Sequence, residues 1–217
     1  MPWPFRSGPA PEVGPRREGV EPSAPQPPLY RSPVLQTLLA SLRDDASYRI
    51  LDLGAAVGPN VGFFSRYSCR LDIVDLLGTI AAKGLSAALE ADPAAALRRV
   101  LPEPHADFDV VLAWDVLNYL GRPQLRALTE QLGALCRPGG RVFALISTAK
   151  QMPEVPTAFR IVDEQTLDYR IRSAALRPSP RIPPAEVERL APGFVVERSV
   201  LMRHGVQEYL LARRRDD

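Results

Sequence analysis

The stretch "ILDLGAAVGPNVGFFS", residues 50–65, places Asp52 and the glycines Gly54, Gly58 and Gly62 between a short apolar run and a helical pattern. Glycine at such a turn permits positive φ and lets a ligand approach bare main chain, while the helix that follows aims unpaired N–H groups at it. A second carboxylate, Asp75, lies 23 positions after Asp52 (75 − 52), at the end of the next apolar run, "CRLDIVDL". At the tip of a second strand such a group can accept hydrogen bonds from both hydroxyls of a ribose. The simpler role for Asp75 is to cap the helix that begins at "LLGTI". The glycine turn beside it favours the ribose, so a nucleoside-bearing ligand is the first expectation.

Elements must hold these residues in place. Proline recurs from Met1 to about Arg31 without regular apolar spacing, so residues 1–31 read as a disordered tail ahead of one domain over 32–217. Ser32-Pro33 reads as an N-cap with proline at the first helical position, and Leu35, Leu38, Leu39 and Leu42 continue a helix to about Ala46. "YRILDL" and "CRLDIVDL" read as strands buried on both faces, with two helical turns between them. The helix from "LLGTI" is expected to run on through Gly84 to "SAALEA", and Asp92-Pro93 to start another.

"FDVVLAWDVL" from Phe108 is the clearest core strand; a helix from about Pro123 to Leu135, the turn "RPGG" and the strand "RVFALI" follow. Alternation of strand and helix predicts a parallel sheet with helices on both faces, an α/β Rossmann-like fold. Beyond Ile146 the pattern becomes antiparallel: a hairpin over about Ala158–Arg172, a short helix from Pro184 to Leu190, then two long strands hinged at His204-Gly205.

Composition narrows the function. A net charge of +2 without blocks of like charge provides no electrostatic footprint for a nucleic-acid groove. Two cysteines, Cys69 and Cys136, are no disulfide framework, and no apolar run approaches the roughly 18 residues that span a bilayer, so a soluble cytoplasmic protein is expected. The isolated His105 and His204 suggest no metal site.

Two cofactor classes share the glycine-turn geometry. A nicotinamide dinucleotide wants G-x-G-x-x-G, whereas Gly54 is followed here by Ala56 and by Pro59, which has no N–H for a phosphate. "LDLGAAVG", "DIVDL", "LPEPHADFDVVLAWDVLNYL" and "LCRPGGRVFALI", in that order over residues 50–146, resemble the successive motifs of class I S-adenosylmethionine-dependent methyltransferases. That resemblance implies S-adenosylmethionine as cofactor and an antiparallel final strand pair. It puts Asp52 near the methionine amino group, directly or through water, and Gly54, Ala55 and Gly58 along the amino-acid half. Asp75 would hold the ribose, Leu76 would lie against the adenine, and Asp115 beside the sulfonium and the acceptor.

The chain departs from the family pattern in two places. Ala56 stands where the commonest motif has glycine; some RNA ribose methyltransferases share that alanine, but their Lys-Asp-Lys-Glu tetrad has no counterpart in a chain with two lysines. Leu97 occupies the position where many relatives carry an adenine-binding acid, and the third strand of the fold is missing, short or displaced.

A sulfonium is already an activated donor, so the protein must chiefly align a nucleophile and, where needed, take a proton. Candidates near the methyl group are Asp115, Asn118 and Tyr119, then Ser147 and Thr148. Arg160, Arg170 and Arg172 on the hairpin either meet an anionic acceptor or form a solvated face balanced by Asp163, Glu164 and Asp168, the latter being favoured. No "NPPY" or "DPPY" and no Pro-Cys nucleophile occurs at the fourth strand, which argues against DNA-base methylation and for a small-molecule acceptor. A noncatalytic cofactor-binding or interaction protein and an NAD(P)-dependent oxidoreductase are the alternatives.

Overall fold

The computed structural model describes residues 29–104, 107–203 and 205–215. Most of the tail (residues 1–28), His105 and His204 lie outside the described residues. The chain begins with β1 (Tyr30–Arg31), α1 (Pro33–Ala40), β2 (Tyr48–Asp52), α2 (Gly58–Phe64) and β3 (Cys69–Ile73). Three short helices follow, α3 (Leu76–Ala82), α4 (Ser86–Ala91) and α5 (Pro93–Arg98), before β4 (Phe108–Trp114), a 3₁₀ turn (Val116–Tyr119), α6 (Arg122–Leu135) and β5 (Cys136–Ser147). The remainder is β6 (Gln151–Pro153), β7 (Ala158–Asp163), β8 (Thr166–Arg170), β9 (Leu176–Pro178), α7 (Pro184–Leu190), β10 (Phe194–Leu201) and β11 (Val206–Arg213).

The central sheet has the order β10-β11-β5-β4-β2-β3. Its strands β3, β2, β4 and β5 are parallel, and β11 pairs antiparallel with both β5 and β10. Alternation along β4 explains how one strand serves two cores: Val111 and Ala113 face α3 to α7, whereas Val110, Leu112 and Trp114 face α1, α2 and the β7–β8 hairpin. Strand β3 departs from expectation. It is the sheet's edge and only partly buried, because α3, α4 and α5 lead directly into β4 without a further strand outside it.

The N-terminal caps follow their chemistry. Ser32 Oγ accepts from the Leu35 amide and Asp92 Oδ1 from the Ala95 amide, each with proline at the first helical position. Helix α1 is shorter than its leucine spacing predicts, ending at Ala40. The helix expected to run through Gly84 is instead two, because Gly84 takes φ +63° and terminates α3.

The boundary of the folded body also moves. Tyr30 and Arg31, read from sequence as the end of the tail, pair antiparallel with Leu167 and Thr166 of β8. Tyr30 is 7% exposed and its hydroxyl donates to Glu208, which is wholly buried on β11 and also accepts from the Val34 amide at 2.9 Å. A buried carboxylate needs such partners, and the chain around Tyr30 provides them. Strands β1, β8 and β7 thereby form one small sheet over the α1/α2 face, with Ile161 and Leu167 in the core.

Candidate active site

Strand order reverses between β2 and β4, and ligands in open α/β sheets bind beyond the carboxyl ends at that point. A cavity of about 440 Å³ lies there. Leu53, Gly54 and Ala55 from the glycine turn form part of its wall, with Asp75, Leu77 and Gly78 at the start of α3. Asp115 and Val116 come from the end of β4, and residues 155–157 with Arg172 and Ser173 close the far side. The structure therefore brings together Gly54, Ala55, Asp75 and Asp115 of the residues expected from sequence.

Asp52 sits behind the wall, 1% exposed. Its Oδ1 accepts from the Gly54 amide at 2.9 Å and from the Trp114 indole Nε1 at 2.7 Å. Burial pushes its carboxyl up to about 6; the two donors oppose that rise and the Asp75 charge adds to it. Its direct role is thus to shape the turn. A Cβ on Gly54 would lie 2.6 Å from Trp114 Cδ1, so the glycine makes room for the indole as well as for a ligand.

Trp114 was not singled out by sequence reasoning; the only signal was an aromatic at the end of the clearest core strand. It takes φ +47°, and its ring stacks on Phe159 of β7 at 5.5 Å and 7° and meets Phe143 edge-on at 5.7 Å. On the other side of the hairpin, the Asn60 side chain at the start of α2 donates to the Phe159 carbonyl and accepts from the Ile161 amide, at 3.0 and 2.8 Å.

Asp75 does what the simpler sequence reading allowed: with φ 36°, it caps α3, and its Oδ1 accepts from the Gly78 amide at 3.1 Å. It also stands on the cavity wall, so cap and ligand contact are compatible at different oxygens. Gly78 is the residue overlooked here, since a Cβ there would collide with the Asp75 carboxylate.

Leu76, the residue expected against the adenine, is not on the cavity wall. It is 0% exposed in the core, and its neighbour Leu77 lines the cavity instead, because the helix turns Leu76 inward beside Ile80. Gly58 is exposed and begins α2 away from the cavity wall. Leu97 is likewise wholly buried in α5.

Asp115 is 8% exposed, its Oδ2 accepts from the Thr157 amide at 2.9 Å, and burial pushes its carboxyl up to about 6 despite that bond. Asn118 is committed to the main chain: it donates to the Asp115 and Leu145 carbonyls at 3.0 and 2.8 Å and accepts from the Ser147 amide at 2.9 Å. The Tyr119 hydroxyl lies 3.0 Å from the Pro153 carbonyl and 2.8 Å from that of Val155, and burial raises its pKa above the ordinary value. Both hold the segment around the site rather than line it, and Ser147 and Thr148 are also off the wall. Of the hairpin arginines, Arg160 pairs with Asp168 at 2.6 Å, as the balanced-face reading expects, while Arg172 reaches the cavity as its one lining cation among the described residues.

A methyltransferase-domain family matches residues 26–178, well over half of the chain, and the chain belongs to that family. Among curated protein sequences, none matches it. Of solved structures, the PH0226 protein from Pyrococcus horikoshii OT3 is similar with 16% identity over 83% of this chain and 88% of that one, TM-score 0.50, which agrees with the fold described. Two others are the 1,6-didemethyltoxoflavin-N1-methyltransferase of Burkholderia thailandensis, with bound 1,6-didemethyltoxoflavin and S-adenosylhomocysteine (18% identity; 84% and 76% of the two chains; TM-score 0.45), and the N-methyltransferase NodS of Bradyrhizobium japonicum WM9 in complex with S-adenosylhomocysteine (13%; 76% and 78%; 0.45).

Proposed function

We propose that this methyltransferase-domain protein moves a methyl group from S-adenosylmethionine to a small-molecule acceptor in the cavity at the ends of β2 and β4. One observation carries the reading: Gly54, Asp75 and Asp115, far apart in sequence, line a single cavity at the switch point of the sheet. The walls fit the cofactor's chemistry. Gly54 and Gly78 present main chain on the wall, and the carboxylates Asp75 and Asp115 suit a diol and a cationic centre.

When bound, the sulfonium supplies an activated methyl group. The rest of the work belongs to the chain. Asp52 shapes the turn, Asp75 would hold the ribose, and Asp115, whose carboxyl burial pushes up to about 6, would accept a proton from an acceptor near neutral pH. Val116, Val155 and Pro156 give the acceptor side an apolar surface beside Arg172. Among the described residues no helix is long and apolar enough to cross a membrane, and the free thiols of Cys69 and Cys136 support a reducing cytoplasm as its location.

Calorimetric titration with S-adenosylhomocysteine, beside NADH, tests the cofactor. Heat is expected with the sulfur nucleoside, and heat with NADH alone overturns the reading. Methyl transfer is then sought across small acceptors bearing hydroxyl, amine or carboxylate groups; nucleoside binding without transfer to any of them favours the noncatalytic alternative.

A further inference from the structure

We propose that Trp114 is a positioning residue for the methyl-donor site: its indole N–H fixes Asp52, and so the glycine turn, while its ring fastens that turn to the β7–β8 hairpin. The proposal rests in part on the cofactor reading above. Three features at the tip of β4 support it.

First, Trp114 is a bulky residue in the left-handed region, φ +47°, a strained conformation that persists only where its surroundings hold it. Its surroundings do: the indole donates to Asp52 Oδ1 at 2.7 Å and the ring lies flat against Phe159. Second, the turn is built around it, since the Asp52 oxygen that takes the indole proton also takes the Gly54 amide, and Gly54 has no side chain where Trp114 Cδ1 comes to rest. Third, the next residue repeats the link, for Asp115 accepts from the Thr157 amide just before β7. Two consecutive residues at the tip of β4 thus tie the donor side of the cavity to the segment closing its far side. An ionised Asp52 accepts both N–H groups well, whereas a neutral acid holds them less tightly, so the shape of the turn depends on the charge.

Trp114→Phe keeps an aromatic ring for the Phe159 stack and removes the donor together with the five-membered ring edge that packs beside Gly54, and its folding is checked by thermal melting. The charge that acts on Asp52 is that of Asp75 at the head of α3, Asp115 and Arg172 line the cavity in front of the turn, and the substitution changes none of them. In ligand-free protein carrying ¹³Cγ-labelled aspartate, the Asp52 resonance, assigned with Asp52→Asn, is expected to titrate near 6 in the wild type. Loss of a hydrogen bond to the charged form is expected to raise that midpoint by about one to two pH units in Trp114→Phe. S-adenosylhomocysteine affinity is expected to fall about two- to tenfold at pH 7 and to recover at pH 9, its acidic limb moving with the midpoint. A folded Trp114→Phe protein with an unmoved midpoint overturns the proposal, as does a moved midpoint with an unmoved binding limb. Wild-type protein that binds no S-adenosylhomocysteine at any pH overturns the cofactor reading instead, and the Asp52 midpoint then still decides whether Trp114 governs the turn.

Discussion

Two regions of this molecule bury carboxylates on the same sheet, and they use them differently. On β11, Glu208 is 0% exposed and its partners are the Tyr30 hydroxyl and the Val34 amide, both from the segment that precedes and opens α1. At the carboxyl ends of β2 and β4, Asp52 and Asp115 lie on or behind a cavity wall, with carboxyls pushed up to about 6. The first arrangement is a latch, with the carboxylate itself closed off from solvent. The second stores unfavourable burial beside a cavity, where a cationic ligand can relieve it. Burial alone is therefore no mark of function; a buried charge facing a cavity at the switch point is.

Glu208→Ala tests the latch and carries the largest expected effect. It removes the Glu208 acceptor from the Tyr30 hydroxyl and the Val34 amide, at a cost of about 2–4 kcal/mol, read as a fall in melting temperature on the order of 10 °C. S-adenosylhomocysteine affinity of the folded fraction should stay within about threefold. A preserved melting temperature with lost binding would reverse the assignment of the two regions.

Asp52→Asn should act with the opposite sign on stability. A folded pKa of about 6 against 3.8 means that the fold prefers the neutral acid. Its contribution is complete below about pH 4 and is lost as pH rises toward 6, amounting to about 3 kcal/mol at most. The amide removes that loss, so at pH 7 the variant should be about 1–2 kcal/mol more stable in urea titrations while its S-adenosylhomocysteine affinity drops about tenfold. A variant less stable than wild type at pH 7 and equal to it at pH 4 would show that the charge is welcome in the folded state.

Asp75→Ala belongs to the cavity with a smaller structural share. Loss of the α3 cap costs about 1 kcal/mol, visible as a few degrees of melting temperature. Nucleoside affinity is expected to weaken about tenfold. Unchanged affinity would reduce Asp75 to a capping residue.

Local signals were legible where the chemistry is local. Ser32-Pro33 and Asp92-Pro93 announced helix starts because a cap and its amide lie three residues apart, and the apolar runs announced the four parallel strands. Which of Leu76 and Leu77 faces the cavity is not legible from spacing, because one step along a helix changes the face; the structure puts Leu76 in the core and Leu77 on the wall. Gly84 was underestimated because tolerance of glycine inside a helix depends on whether packing elsewhere holds it there.

By itself, then, the sequence determined the α/β order of elements, the glycine turn, the acids at strand ends and the antiparallel finish, since each follows from spacing within a few residues. Tertiary structure alone decided that Trp114 grips Asp52, that Tyr30 belongs to the body through Glu208, and that residues 155–173 complete the cavity. Those contacts join positions from 42 to 178 residues apart, and separations of that size are set by how the two faces of the sheet are covered, which no local pattern records.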